Sequence, residues 1–250
     1  MQLNRHARMF TKDGKTSEIL KEAIASIPIK TKVFVIGGAA RNAVYHSLFK
    51  KSLPQRDYDL LIIGNLDEFV KNLRKSKFVY GRIRRKDEIV LKKKLIPKPK
   101  SIIDYLFLDI HRTYESNILE SLKENSAFTI NGFAIPLKNY LEKNIKKLTA
   151  LPTALEDLKN KQLILNIQGY KGHPGNLFAC LRFISIGFKP PKKSDVRLLL
   201  EQLPQLEKGR FERNVKKVLD YVGGEKNARR LVKKLGIGIN IFNMKELRNS

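Results

Sequence analysis

Apolar residues change their spacing along this chain, and the change divides it in two. Between residues 17 and 27, Ile19, Leu20, Ala23, Ile24 and Ile27 recur at helical intervals, a stripe that Pro28 stops. Val33-Phe34-Val35-Ile36 is an unbroken apolar run, the pattern of a buried strand. Gly37 and Gly38 follow it and open a helix expected over 39–49. A second strand is expected at Asp57-Tyr58-Asp59-Leu60-Leu61-Ile62-Ile63, turning at Gly64-Asn65 into a helix over 66–73. Phe78-Val79-Tyr80 and Ile89-Val90-Leu91 read as the arms of a hairpin. Residues 101–110 are strongly strand-like and 113–124 helical; 128–135 close the first domain, and 162–167 read as a last small strand or extended segment.

Gly169, Gly172, Pro174 and Gly175 then interrupt the chain, and beyond them the period is helical. Helices are expected over 176–186, 195–203, 210–222 and 225–235, the third with Phe211, Val215, Val218, Leu219 and Val222 on one face. The pattern predicts an α+β protein: a small mixed sheet with helices, followed by a helical domain. Its divisions are a basic N-terminal arm (1–16), a sheet domain (17–170) and a helical domain (171–250).

Composition alters this picture mainly through charge. The 250 residues carry 50 Lys and Arg against 24 Asp and Glu, a formal net charge of +26. Such an excess points to a polyanionic partner, nucleic acid first and an anionic membrane surface second. The basic candidates are Arg82, Arg84, Arg85, Lys92, Lys93 and Lys94 around the hairpin, and Arg229, Arg230, Lys233 and Lys234 in the last helix. Around the hairpin the plain alternative is a solvated basic loop. A single cysteine, Cys180, excludes an intramolecular disulfide framework and reads as a small buried hydrophobe. No apolar run reaches membrane-span length, and the basic start lacks the apolar core of a secretory signal. An intracellular setting, cytoplasmic by default, is expected, with an organelle left open.

Candidate chemistry centres on Asp57 and Asp59. Two residues apart on a strand, their side chains leave the same face while Tyr58 points the other way. Paired carboxylates are costly unless a cation lies between them, and a hard divalent ion shared with a phosphate substrate meets that need. The plain alternative is a polar strand end. Asp104 stands inside an apolar run and completes a three-carboxylate site if its strand lies beside the first; Asp109 is the competing third member, or a cap on the turn before His111. Gly37 and Gly38 permit close approach of a phosphate to the new helix start, or form an ordinary turn.

Several separated segments together resemble the head and neck of the tRNA nucleotidyltransferase/poly(A) polymerase family. Gly37-Gly38-Ala39-Ala40-Arg41-Asn42 resembles its Gly-Gly-x-Val-Arg-Asp opening, and Arg56-Asp57-Tyr58-Asp59-Leu60 its Asp-x-Asp metal motif. Ile103-Asp104-Tyr105 is similar to the strand bearing a third acid in the wider superfamily. Phe128-Thr129-Ile130-Asn131-Gly132-Phe133-Ala134 resembles Phe-Thr-Ile-Asn-Ala-x-Ala, Leu155-Glu156-Asp157-Leu158 the Leu-Glu-Asp-Leu segment, and 174–188 the start of the neck helix. The resemblance covers roughly residues 17–190 in order and spacing.

It implies a nucleotidyltransferase-type sheet domain that adds nucleotides to an RNA 3′ end without a template, tRNA among the acceptors. ATP or another NTP is the substrate and Mg2+ the cofactor. Asp57, Asp59 and Asp104 become the catalytic metal ligands, and Gly37, Gly38, Arg41, Asn131 and Arg182 the nucleotide- and phosphate-binding set. The departures open a second reading. Asn42 stands where the family has Asp, Asn125-Ser126-Ala127 replaces an Arg-Arg-Asp segment, and Asn176 and Ala179 replace two neck arginines. Carboxylates kept while nucleotide contacts are thinned also fit a catalytically inactive RNA-binding protein, a component of a ribonucleoprotein or the partner of another protein.

Overall fold

In the computed structural model, the described residues are 13–51, 53, 57–85, 88–99, 104–115, 117–170 and 174–243, the side chains of residues 13 and 82–85 aside. The basic arm expected over 1–16 falls mostly outside them. The chain forms two compact units, one made of residues 1–122 and 131–151, the other of 123–130 and 152–250. The second unit therefore takes in 152–170, which hydropathy alone groups with the sheet.

The first unit is built on strands β1 (Lys32–Ile36), β2 (Asp57–Ile63), β3 (Val79–Arg85), β4 (Glu88–Lys94), β5 (Tyr105–Arg112), β6 (Phe133–Pro136) and β7 (Thr149–Ala150). They form one seven-stranded mixed sheet in the order β3-β4-β5-β2-β1-β6-β7. Its helices are α1 (Asp13–Ala25), α2 (Gly37–Phe49) and α3 (Leu66–Lys75), with α4 (Ile118–Asn125) leading out of the unit and α5 (Leu137–Leu141) after β6. Asn65 caps α3 by accepting from the Glu68 amide at 3.0 Å while its own amide reaches the Glu68 carboxylate, a reciprocal cap that fixes the turn out of β2.

One face of the sheet is core. Val35, Leu60, Ile62, Leu91, Leu108 and Ile110 are fully buried there, and they occupy alternate positions of β1, β2, β4 and β5. Tyr58 on this face meets Tyr140 of α5 edge-on, ring centres 6.0 Å apart, and burial pushes the Tyr140 phenol above its usual pKa. Lys93 also lies on this side. Its ammonium pairs with Glu22 of α1, donates to the Ser76 carbonyl at 2.7 Å and sits 5.1 Å from the centre of the Phe78 ring. The sequence reading that offered Lys93 to RNA is thereby corrected: alternation along β4 turns it inward to tie strand to helix.

Two further expectations shift. The strand placed over 101–110 runs instead from Tyr105 to Arg112, and residues 101–103 lie outside those described. The helix expected from 113 begins at Ile118, where Asn117 accepts from the Leu119 amide at 2.9 Å. Residues Thr129–Asn131 form a 3-10 turn ahead of β6, and any Cβ at Gly132 would overlap the Leu151 side chain.

The second unit is helical: α6 (Ala154–Lys159), α7 (Asn176–Ser185), α8 (Lys193–Gln202), α9 (Lys208–Val222) and α10 (Glu225–Lys234). Helix α7 packs against α8, α9 and α10. Phe183 contacts Phe128 and Phe188, and Phe178 contacts Phe211, all within ring-stacking range. Asp157 accepts from the hydroxyls of Thr129 and Thr153, both at 2.7 Å, so this acid clamps the entry of the unit. The extended segment expected over 162–167 makes only isolated bridges, Gln162 with Lys189 and Leu165 with Phe128. Among the described residues, no helix is long and apolar enough to cross a membrane.

Cys180 is buried in α7, and burial pushes its thiol up to about 12. A raised thiol pKa means stability is intact below the ordinary thiol value near 9 and is lost as pH climbs toward 12. Urea unfolding across pH 8 to 11 is expected to show that loss, and Cys180→Ala to reduce it. The native thiol should also resist aromatic disulfide reagents at pH 8 and react only on unfolding.

Candidate active site

The site is assembled by register. Strands β2 and β5 are parallel neighbours, with Asp57 opposite Phe107, Asp59 opposite Asp109 and Leu61 opposite His111. Paired residues of adjacent strands leave the same face. Asp57, Asp59, Phe107, Asp109 and His111 therefore share the face opposite the core, and all five are half-buried. Side-chain ligand atoms of Asp59, Asp109 and His111 all lie within 4.8 Å of one another. His111 Nε2 stands 3.4 Å from Asp109 Oδ1.

Register also decides the third acid. Asp104 precedes β5 by one residue, and its carbonyl accepts from the Leu95 amide at 2.7 Å. Five residues of extended chain separate it from Asp109, roughly 16 Å, so it falls well beyond the reach of a cation held by Asp59. Asp109 takes the place expected for Asp104. Asp57 shares the face but is not a member of the close group. His111 was missed by sequence reasoning, although the alternation Phe107, Asp109, His111 carries the signal once the strand is known to extend to Arg112.

Gly37 abuts the cluster. It begins α2 with φ of +61°, and a Cβ there would stand 2.8 Å from Asp59 Oδ2. Two demands, a left-handed backbone and an occupied Cβ position, thus fall on one residue. Gly38 has neither: a Cβ would come no nearer than 3.7 Å, to Arg41 Nη2. No side chain caps the start of α2 and no acid stands in its first turn, leaving the end of the helix favourable to an anion.

The remaining expected contacts divide. Arg41 and Asn131 are brought together, Nη1 donating to Asn131 Oδ1 at 2.7 Å. Arg41 Nη2 and Nε also donate to Asn42 Oδ1, at 2.9 and 3.2 Å. Both of these partners are neutral side chains that orient the guanidinium. Arg182 lies half-buried on α7 of the second unit. There Asn166 donates to the carbonyls of Lys123 and Ser126, at 2.7 and 2.6 Å, and so holds the backbone of the segment in which Asn125, Ser126 and Ala127 occur.

The basic candidates are unevenly placed. Lys92 and Lys94 lie on the site face of β4, opposite Phe107 and Tyr105. Arg82, Arg84 and Arg85 belong to β3, with side chains outside those described. Arg229, Arg230, Lys233 and Lys234 are all exposed on α10, and Arg229 pairs with Glu225 at 2.6 Å. A further open notch of about 550 Å³ between α3 and the start of β3 gathers Lys71, Arg74, Lys75 and Lys77 around Tyr80. Its cations fall within seven residues of sequence, at the end of α3 and in the turn that follows it.

The fold is similar to that of solved structures. The Thermotoga maritima CCA-adding enzyme complexed with tRNA superposes with a TM-score of 0.63 at 19% identity, over 91% of this chain and 52% of that one. A CCA-adding enzyme with CTP gives 0.59 at 22%, over 89% and 50%. A tRNA nucleotidyltransferase complexed with a primer tRNA and an incoming ATP analog gives 0.57 at 22%, over 88% and 60%. The chain has the tRNA nucleotidyltransferase fold. It spans about half the length of the CCA-adding enzymes it resembles. No protein-family model matches the sequence, and no curated protein matches it. Within the nucleotidyltransferase fold, the Asp59–Asp109–His111 cluster offers two carboxylates and an imidazole to a divalent cation, a donor set that such an ion fits.

Gly37→Ala is expected to destabilise the first unit by about 1–3 kcal/mol in urea unfolding, because φ and the Asp59 contact both oppose a Cβ. Gly38→Ala, where neither obstacle exists, should stay within about 0.5 kcal/mol.

Proposed function

We propose that this chain is a template-independent RNA nucleotidyltransferase, moving a nucleotide from a nucleoside triphosphate to an RNA 3′ end. The carrying observation is the parallel register that sets Asp59 beside Asp109, with His111 in the same cluster. A residue whose only task was to touch phosphate would not be an acid, and two acids on adjacent strands repel each other unless a cation joins them. Mg2+ or a similar divalent ion, when bound, neutralises the triphosphate and lowers the pKa of the attacking hydroxyl. Asp59, Asp109 and His111 would hold it, with Asp57 on the same face outside the close group.

The protein's own groups supply positioning. Gly37 lets the start of α2 approach close to Asp59, so amides of the first turn face a phosphate near the carboxylates. Arg41, on the same helix as Gly37 and oriented by Asn42 and Asn131, would supply a cation to the phosphates. In the transfer the RNA 3′ oxygen bonds to the α-phosphorus as the bond to the bridging β-phosphate oxygen breaks. Pyrophosphate leaves and the hydroxyl proton passes to solvent. Holding two polyanions together is the chief demand, and a chain of +26 meets it outside the cluster as the carboxylate-bound cation meets it inside.

The alternative, an inactive RNA-binding protein on the same fold, draws support from the neutral Asn42 and from the 125–127 segment. An extension assay separates the two. Protein with Mg2+, or Mn2+, and each of the four nucleoside triphosphates alone should lengthen a labelled RNA. Asp59→Asn and Asp109→Asn should each cut the rate at least ~100-fold while RNA still binds. Asp104→Asn should leave it within about two-fold, since Asp104 lies off the cluster. Absence of extension with every triphosphate, on tRNA and on generic RNA alike, would move the assignment to the binding protein.

RNA affinity is expected to fall steeply with salt, by roughly ten-fold or more between 50 and 200 mM, as measured by fluorescence anisotropy. Affinity flat over that range would remove the basic surface as the contact.

A further inference from the structure

The site face of β5 carries more than the acid and the histidine. Two steps toward its start, at the alternate positions before Asp109, stand Phe107 and Tyr105, both half-buried, while Leu106, Leu108 and Ile110 between them are sealed in the core. The two rings lie 6.4 Å apart, centre to centre, inclined by 52°. Across the ladder Lys92 faces Phe107 and Lys94 faces Tyr105, and Lys92 Nζ stands 4.8 Å from the Tyr105 ring centre. On the other side Asp57 faces Phe107.

Next to this row the sheet is cleared of bulk. Gly81 of β3 has no side chain where a Cβ would meet Val90 Cγ1 at 3.4 Å and Phe107 Cε1 at 3.8 Å, so the Phe107 ring edge extends over β4 toward it. The arrangement is a shallow aromatic strip, edged by lysines and ending at the carboxylate cluster.

Aromatic rings left partly in water on a sheet face beside cations have a specific chemical complement. Single-stranded nucleic acid offers flat bases to the rings and phosphates to the lysines, and it is bound by such strips irrespective of sequence. Alternate residues of a strand are roughly 7 Å apart, a step that an extended single strand can follow base by base. We propose that Tyr105 and Phe107 are a stacking platform for the last bases of a single-stranded RNA 3′ end, with Lys92 and Lys94 on its backbone. Phe107 holds the base nearer Asp109, and Tyr105 the one before it. The direction of the strand, 3′ end toward Asp59 and Asp109, rests on the nucleotidyltransferase reading; the platform itself does not.

This placement also fixes what the acceptor must be. A base can lie on these rings only when unpaired, so a 3′ overhang of about two nucleotides is required, and a blunt duplex end is excluded. The rings recognise any base by its face, so selectivity here is for strandedness rather than sequence.

The decisive measurement is photocrosslinking on the unaltered protein. RNA oligonucleotides carrying 4-thiouridine at the last or the penultimate position are irradiated with it, and the crosslinked peptides are mapped by mass spectrometry. The last position should map to Phe107 and the penultimate one to Tyr105. In parallel, Phe107→Ala and Tyr105→Ala should each raise the Kd of a 3′-overhang RNA by about ten-fold and leave that of a blunt duplex unchanged. Phe107→Tyr should restore binding, whereas Phe107→Leu, which keeps apolar bulk without a stacking face, should not.

Crosslinks that avoid 105–107 on bound RNA, or equal loss for overhang and duplex, would overturn the platform. So would the finding that a protein, rather than RNA, covers this strip. The two proposals fail separately. Crosslinks on β5 with no nucleotide transfer keep the platform and remove the enzyme. Transfer with crosslinks elsewhere does the reverse.

Discussion

Everything at the site depends on the parallel pairing of β2 with β5. Asp59 meets Asp109 because Leu60 meets Ile110 and Tyr58 meets Leu108 on the other face. These apolar partners are buried, and a slip of one residue would carry them to the half-open face while driving both acids into the core. The costly element, two like charges on adjacent strands, is therefore held in place by the cheap one, an alternating apolar face. The hydrophobic pattern of β2 and β5 has two outcomes at once: it buries the sheet and it sets the spacing of the carboxylates.

That dependence explains what could be read from the sequence and what could not. Elements with a local signature were legible: the stripe of α1, the apolar run of β1, the carboxylate alternation of β2, the hairpin of β3 and β4, and the helices after residue 176. The third acid was not. Residues 102–108 are apolar almost throughout, so alternation gave no phase there, and Asp104 looked like an intruder in a buried strand. Choosing between Asp104 and Asp109 requires knowing which residue faces Asp59 across a parallel pair, a non-local fact that neither spacing nor propensity contains. His111 was lost for the same reason. Lys93 is the converse case, since a lysine triplet suggests solvent and phosphate while the strand period places its middle member against Glu22.

The departures from the family pattern acquire physical content at Arg41. With an acid at position 42 its guanidinium would be neutralised within the helix. With Asn42 and Asn131 as acceptors it is oriented by three hydrogen bonds to neutral side chains. A substitution that reads in sequence as a lost contact thus keeps an ordering contact on the guanidinium. In the second unit the change at 125–127 has a different character. Asn166 there fastens backbone carbonyls, and Asp157 fastens two threonine hydroxyls. Those residues support the fold and present no cation.

The same balance of charge bears on how a cation would come to the cluster. The field of a chain with +26 repels a free divalent ion and draws in a polyanion. Asp59 and Asp109 supply two negative charges in a half-buried setting, enough to make the local site favourable but set against that wider field. A triphosphate arriving with its own divalent ion meets no such opposition, because the complex is anionic as a whole and its metal is already partly ligated. On electrostatic grounds metal and nucleotide should therefore bind with positive coupling, each raising the affinity for the other by the same factor. Under the proposed function, Asp59 and Asp109 would be the last ligands to such a complex, and the basic surface would serve the rest of the RNA.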